Sequence, residues 1–207
     1  VTLKNSSGKA KIYRLDWTES QPLDVDLGTL DYRLIQEDGL TYVSLRSFVS
    51  GTYDNMLARY AREGAKARGS KAVIYDLRGN VGGSDSWPRK WIQSFLGTQN
   101  SIETSMLYAQ KNSALFAAEN SESLLPEDEG TCFAREVHGT WYENDIPIIV
   151  LVDDHCGSSG EGAVQLLKTL DNVLIVGSNT AGYQLCGNIS TFTLPYTGIG
   201  VRFGSTL

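Results

Sequence analysis

Histidine and cysteine are scarce in this 207-residue chain, with two of the first and three of the second. No two cysteines stand as C-x-x-C, so a zinc site is not expected. Cys132, Cys156 and Cys186 make an odd count, which leaves at least one thiol unpaired. Cys156 and Cys186 flank a strand–helix–strand unit and could bridge in an oxidising compartment; otherwise they are small buried thiols. Cations are the minority charge, 18 Lys and Arg against 24 Asp and Glu for a net charge of −6, and no Lys/Arg cluster breaks the average. A surface that tracks nucleic-acid phosphates is therefore not expected. No apolar run approaches the roughly 18 residues of a membrane span, and the opening VTLKNSSGKAK lacks the apolar core of a signal peptide. What remains is 41% apolar and 20% charged, ordinary usage for one large domain or a domain plus a fragment.

Periodicity supplies the elements. VTLKNSSGKAKIYRL reads as two short strands about a Ser-Ser-Gly turn, and YRLIQEDGLTYVSLRSF as a hairpin turning at Asp38-Gly39. Residues 53–68 carry Met56, Leu57, Tyr60 and Ala61 at helical spacing, with Ser50 or Thr52 as cap. The strand KAVIYDL, the loop RGNVGG and a helix with Pro88 in its first turn follow. The order then recurs: IPIIVLVDD is a buried strand, SGEGAVQLLKTL a helix with Val164, Leu167 and Leu170 inward, and NVLIVG a strand. Strands alternating with helices predict an α/β fold of parallel βαβ units whose loops at the carboxyl ends of the strands form the natural site. Residues 109–145, rich in Glu, Ser and Asn, read as a polar insertion.

Two of those loops can carry chemistry. RGNVGG is neither a phosphate loop nor a dinucleotide fingerprint; Gly82-Gly83 instead suits a sharp turn that exposes backbone N–H groups. Ser158 and Glu161 in DHCGSSGEGAVQLL stand in S-x-x-E spacing. That spacing is a helix capping box, yet a serine at a strand end facing paired N–H donors is also what acyl transfer requires. The α/β-hydrolase pattern G-x-S-x-G is missing, and both histidines, His138 and His155, precede Ser158, contrary to that fold's order.

AVIYDLRGNVGGS resembles the D-L-R-x-N-x-G-G-x segment of the tail-specific, carboxyl-terminal-processing serine peptidases. VLVDDHCGSSGEGAVQLLKTLDNVLIVGSNTAGY resembles their S-x-x-E segment followed by V-G-x-x-T-x-G, and TYVSLRSF the strand before the first core helix. The resemblance covers roughly residues 40–207. It implies a core of the ClpP/crotonase type at 38–207, preceded at 1–37 by an N-terminal hairpin segment similar to the end of a peptide-binding module. It implies Ser158 as nucleophile, with an oxyanion hole from the N–H of Ser159 and of the Gly82-Gly83 turn, a peptide or protein substrate, no metal and no cofactor. In the family's Ser–Lys branch the base is a lysine 25 residues after the serine; here TAGY places Tyr183 there. A branch that includes the tricorn core and a chlamydial protease resembles the chain better, with an upstream histidine as base and a downstream glutamate to orient it. His155, three residues before Ser158, is the candidate base within the loop, and His138 a more remote one. The expected function is a serine endopeptidase of the cell envelope or secreted space, read as an excised or truncated core. The rivals are a catalytically silent peptide-binding relative and a crotonase-type acyl-CoA enzyme.

Overall fold

The computed structural model describes residues 2–4, 10–12, 32–51, 53–111, 130–185 and 187–206. The chain divides into two compact units, Val1–Thr104 with Gly139–Gly182, and Ser105–His138 with Tyr183–Leu207. At the start, β1 (Thr2–Lys4) and β2 (Ala10–Ile12) pair antiparallel as the expected hairpin.

The first unit is built on a five-stranded sheet in the order β3 (Tyr32–Glu37), β4 (Leu40–Leu45), β5 (Ala72–Asp76), β8 (Ile148–Val152), β9 (Val173–Gly177). β3 and β4 form an antiparallel hairpin through Asp38-Gly39, both at positive φ (52° and 82°). This is the type I′ turn that matches the twist of the strands. Every later pairing is parallel. In the inner strands AVIYD and IIVLV, Val73, Tyr75, Ile148, Val150 and Val152 are buried in the core, while Ile74, Ile149 and Leu151 on the other face are half-buried. Residues 32–37 lie ahead of the expected boundary at 38 and form the edge strand of this sheet.

Three helices make the crossovers: α1 (Asp54–Glu63), α2 (Ser86–Leu96) and α3 (Ser159–Leu167). The helix expected over 53–68 stops at Glu63 and tightens into a 3₁₀ segment, Gly64–Gly69. A β-carbon on Gly64 would fall 2.3 Å from the Trp91 carbonyl, so α2 is packed directly on the chain there. Ser50 does not cap α1; its hydroxyl accepts a hydrogen bond from Trp87 Nε1 (2.9 Å). Thr52 lies outside the described residues. The strand expected over 146–154 is shorter, because Asp153 leaves it to accept the Gly79 N–H (2.8 Å). The helix expected to reach Leu170 ends at Leu167, although Val164, Leu167 and Leu170 are all buried as expected.

The second unit holds a four-stranded antiparallel sheet in the order β10 (Gly187–Thr193), β11 (Gly200–Thr206), β6 (Met106–Lys111), β7 (Cys132–Val137). β6 and β7 bracket the middle of the expected insertion, residues 112–129, which lie outside the described residues.

The core of the first unit is aromatic where α2 meets β5. Trp91 is fully buried, meets Tyr75 edge-on (4.8 Å between ring centres, 87°) and stacks on Phe95 (5.4 Å, 11°). Trp91→Ala should cost about 3–5 kcal/mol, read as a lower urea midpoint with an unchanged slope. Because the buried Trp91 Nε1 has no hydrogen-bond partner among the described residues, Trp91→Phe should cost less than half as much, since no described polar group is orphaned by losing it.

Candidate active site

β5 and β8 are neighbours in the sheet, so the loops leaving their carboxyl ends emerge side by side. Backbone bonds stitch them together. Leu77 N–H donates to the Leu151 carbonyl (2.9 Å) and Gly157 N–H to the Asn80 carbonyl (2.9 Å), while Ser159 Oγ donates to the Gly83 carbonyl (2.8 Å). The approach is close enough to require glycine. A β-carbon on Gly82 (φ 101°) would lie 2.6 Å from Ser158 Cβ and 3.0 Å from Ser159 N, and one on Gly83 (φ 138°) 2.1 Å from the Phe48 carbonyl carbon. The expected juxtaposition of Ser158 with the Gly82-Gly83 turn is therefore present.

The two glycines differ in what their amides do. Gly82 N–H donates to Asn80 Oδ1 (2.9 Å), and its carbonyl accepts Phe48 N–H (2.7 Å). Gly83 N–H and Ser159 N–H make no hydrogen bond among the described residues. One follows Ser158 in the chain and the other follows Gly82, which packs on Ser158; the serine is exposed and held at φ 53°, ψ −124°. A non-glycine residue in that sparsely populated region costs on the order of 1–3 kcal/mol and persists only where its surroundings impose it. Sharp strand-to-helix turns of this kind lift a side chain off the end of a sheet.

Glu161 supplies much of that imposition. Ser158 and Glu161 take the capping-box arrangement, with Ser158 N–H donating to Glu161 Oε2 (3.0 Å). The other carboxylate oxygen accepts Thr180 Oγ1 (2.7 Å) and Gly182 N–H (2.8 Å), which fastens the loop after β9 to the same point. The cap and the strained serine are thus parts of one construction. Two residues earlier, burial and then the nearby carboxylates of Glu161 and Asp153 push the Cys156 thiol up to about 12. It stays protonated and is no rival to the serine as nucleophile. Cys156 is free, and Cys186 lies outside the described residues.

His155 is not brought to the serine: its Nδ1 lies 2.9 Å from Asp154 Oδ1, and it makes no hydrogen bond to Ser158. With Asp153 these residues place three potential ligand atoms within 4.8 Å of one another, but Asp153 Oδ1 already accepts the Gly79 and His155 N–H groups. His138 lies in the other unit, highly exposed beside Glu136. Tyr183 is exposed and also belongs to that unit.

Sequence reasoning missed the residues that hold the first loop. Asn80 is fully buried; its Nδ2 donates to the Leu45 carbonyl (2.7 Å) while Oδ1 fixes Gly82. Asp76, also fully buried, accepts Arg78 Nε (2.9 Å), Arg78 Nη2 (2.7 Å), Arg78 N–H (3.0 Å) and Tyr42 OH (2.7 Å), with Arg46 Nη1 3.5 Å away. Arg46 Nη1 also donates to the Arg78 carbonyl. The D-x-R-x-N spacing carried this signal, because a buried Asp must find cations.

The sheet, its crossover helices and its paired loops define a mixed α/β core with a mostly parallel sheet. The chain belongs to peptidase family S41, whose model matches residues 39–203. No curated protein sequence matches it. Among solved structures it is similar to a Parabacteroides merdae protein described as a candidate peptidase, with 26% identity over 87% of this chain and 54% of that one, at a TM-score of 0.50. Mature CPAF is 14% identical over 100% of this chain and 45% of its own, at 0.54. A candidate S41 protease from Bacteroides fragilis is 16% identical over 99% and 52%, at 0.51. The chain therefore spans about half the length of these structures, and at the two lower identities the likeness is one of fold.

Two outcomes follow from the loop geometry. Burial alone would raise the Asp76 carboxyl, but hydrogen bonds from Arg78 and Tyr42 and the charge of Arg46 outweigh it and hold it below the ordinary carboxylate value. A lowered folded pKa stabilises the fold above the unfolded value, near about 4, and that contribution is lost as pH falls through the lowered value. Urea melts from pH 7 downward should lose stability below about pH 4. Asp76→Asn should remove part of that acid limb while costing about 3–5 kcal/mol at neutral pH, because Arg46 and Arg78 lose their counter-charge. Gly82→Ala should cost about 1–3 kcal/mol through backbone strain, seen as a lower melting temperature, since Ser158 must move to admit the methyl group.

Proposed function

We propose that the protein is a serine endopeptidase of the tail-specific, carboxyl-terminal-processing kind. The observation that carries this reading is the exposed, strained Ser158 packed against the Gly82-Gly83 turn, with the Ser159 and Gly83 N–H groups open among the described residues. In this reading the Ser158 hydroxyl attacks the scissile carbonyl of an extended peptide and gives up its proton to a base. The carbonyl oxygen, now negative, is received by the two N–H groups. Collapse of the tetrahedral intermediate breaks the C–N bond, the amine leaves with a proton, and water later releases the acyl group from Ser158. Gly82, first read as part of the donor pair, instead supports its neighbour: Asn80 holds the Gly82 amide and so orients the one that follows.

An unassisted serine hydroxyl is a poor nucleophile near neutral pH. No histidine or lysine among the described residues hydrogen-bonds to Ser158, so the reading requires a base from outside those residues. The buried Glu161, already accepting three hydrogen bonds, is assigned to the scaffold.

In the full-length protein, Ser158→Ala should abolish both peptide hydrolysis and labelling by a fluorophosphonate, while costing at most about 1 kcal/mol of stability through the weakened cap. Hydrolysis that persists in a variant with a much lower melting temperature would mean that Ser158 is a cap and nothing more.

A further inference from the structure

Between α1 and α2 runs a groove of about 560 Å³, within the range of ligand sites. Its α2 wall is a helical stripe, Trp87, Lys90, Gln93 and Ser94, spaced three, three and one residues apart and closed by the C-cap Gly97. Arg62 of α1 and Arg68 of the 3₁₀ segment face that stripe across two alanines of α1. Among the described residues the lining thus holds three cations and no carboxylate, in a chain whose net charge is −6.

The cations are placed for an incoming anion. Arg68 Nε donates to the Ser94 and Phe95 carbonyls (3.1 and 3.0 Å), which fixes the side chain and covers the last-turn carbonyls of α2. Those carbonyls are the negative end of the helix and would otherwise repel an acidic ligand. Lys90 Nζ lies 4.5 Å over the Trp87 ring, held by the π face without losing its charge to a carboxylate. Arg62 is exposed and carries no ion pair among the described residues.

The groove also has a direction. Trp87 follows Gly83 by four residues, and its Nε1 bonds to Ser50, two residues beyond the Phe48 that pairs with Gly83. One end therefore adjoins the oxyanion turn. From Trp87 to Gly97 α2 advances about 15 Å, room for four or five residues of extended polypeptide at about 3.3 Å each.

We propose that this groove is an exosite for an acidic stretch of the polypeptide substrate. The proposal rests on the peptidase reading for the identity of its ligand, but its binding step can be measured without catalysis. In full-length protein carrying Ser158→Ala, a labelled peptide bearing four or five consecutive Asp/Glu residues should bind about tenfold tighter at low salt than its Asn/Gln isostere. The preference should vanish in Arg62→Glu/Lys90→Glu and fade towards about 0.5 M salt. With Ser158 restored, the double variant should lose about fivefold in kcat/KM for a substrate carrying the acidic stretch and keep its rate on a neutral one. Equal binding of the acidic and neutral peptides, or an acidic preference that survives the double substitution, would overturn the proposal. So would polyphosphate occupying the groove while the acidic peptide does not. Acidic-peptide binding that follows the variants, with no hydrolysis by the Ser158 protein, would uphold the exosite and sink the peptidase reading.

Discussion

The Gly157 N–H points at the Asn80 carbonyl, and this backbone bond is the centre of a set, with Gly79 N–H to Asp153 and Ser159 Oγ to the Gly83 carbonyl, that ties the two loops of the candidate site together. It joins the end of β5 to the end of β8, and both partners are secured from behind. Asn80 is gripped through its side chain by the Leu45 carbonyl and the Gly82 amide. The Gly157 loop is fastened by Glu161 to the turn after β9. Three strand ends thereby become one rigid edge, so that a serine and two amides keep fixed positions without a metal or cofactor being invoked.

That rigidity has a thermodynamic side. Ser158 in a disfavoured backbone region, a fully buried Asp76 and a buried Asn80 are each unfavourable alone. They persist because every polar atom of the Asp76 and Asn80 side chains finds a partner: Arg78, Tyr42 and Arg46 around the one, Leu45 and Gly82 around the other. Networks of this kind are stabilising only when complete. The two amides left open among the described residues, Gly83 and Ser159, neighbour in the chain Gly82, which packs on the exposed serine, and the serine itself.

Charge is distributed in the same spirit. The chain is acidic overall, yet among the described residues the groove along α2 is lined by Arg62, Arg68 and Lys90 without an opposing carboxylate. Low-salt steering of an acidic segment to the end of α2 nearest Gly83 would raise its local concentration beside the serine.

The sequence by itself determined the α/β class, the Asp38-Gly39 turn and the strand–loop–helix units, because short β-rich apolar runs alternate with segments whose apolar residues repeat every 3.6 positions. It also located the two glycine-rich loops and the S-x-x-E spacing of Ser158 and Glu161, which from residue type alone reads as a helix cap as well as a nucleophile. Tertiary structure alone decided which amide of the Gly82-Gly83 pair is open, because that depends on where the Asn80 side chain lands. It decided that His155 turns to Asp154, a choice of side-chain direction that spacing cannot express. It decided, too, that Glu161 is at once a helix cap and the anchor of a loop nineteen to twenty-one residues further on. Local sequence specifies what a segment can form, whereas the partner of a buried polar atom is set by segments that only the fold brings together.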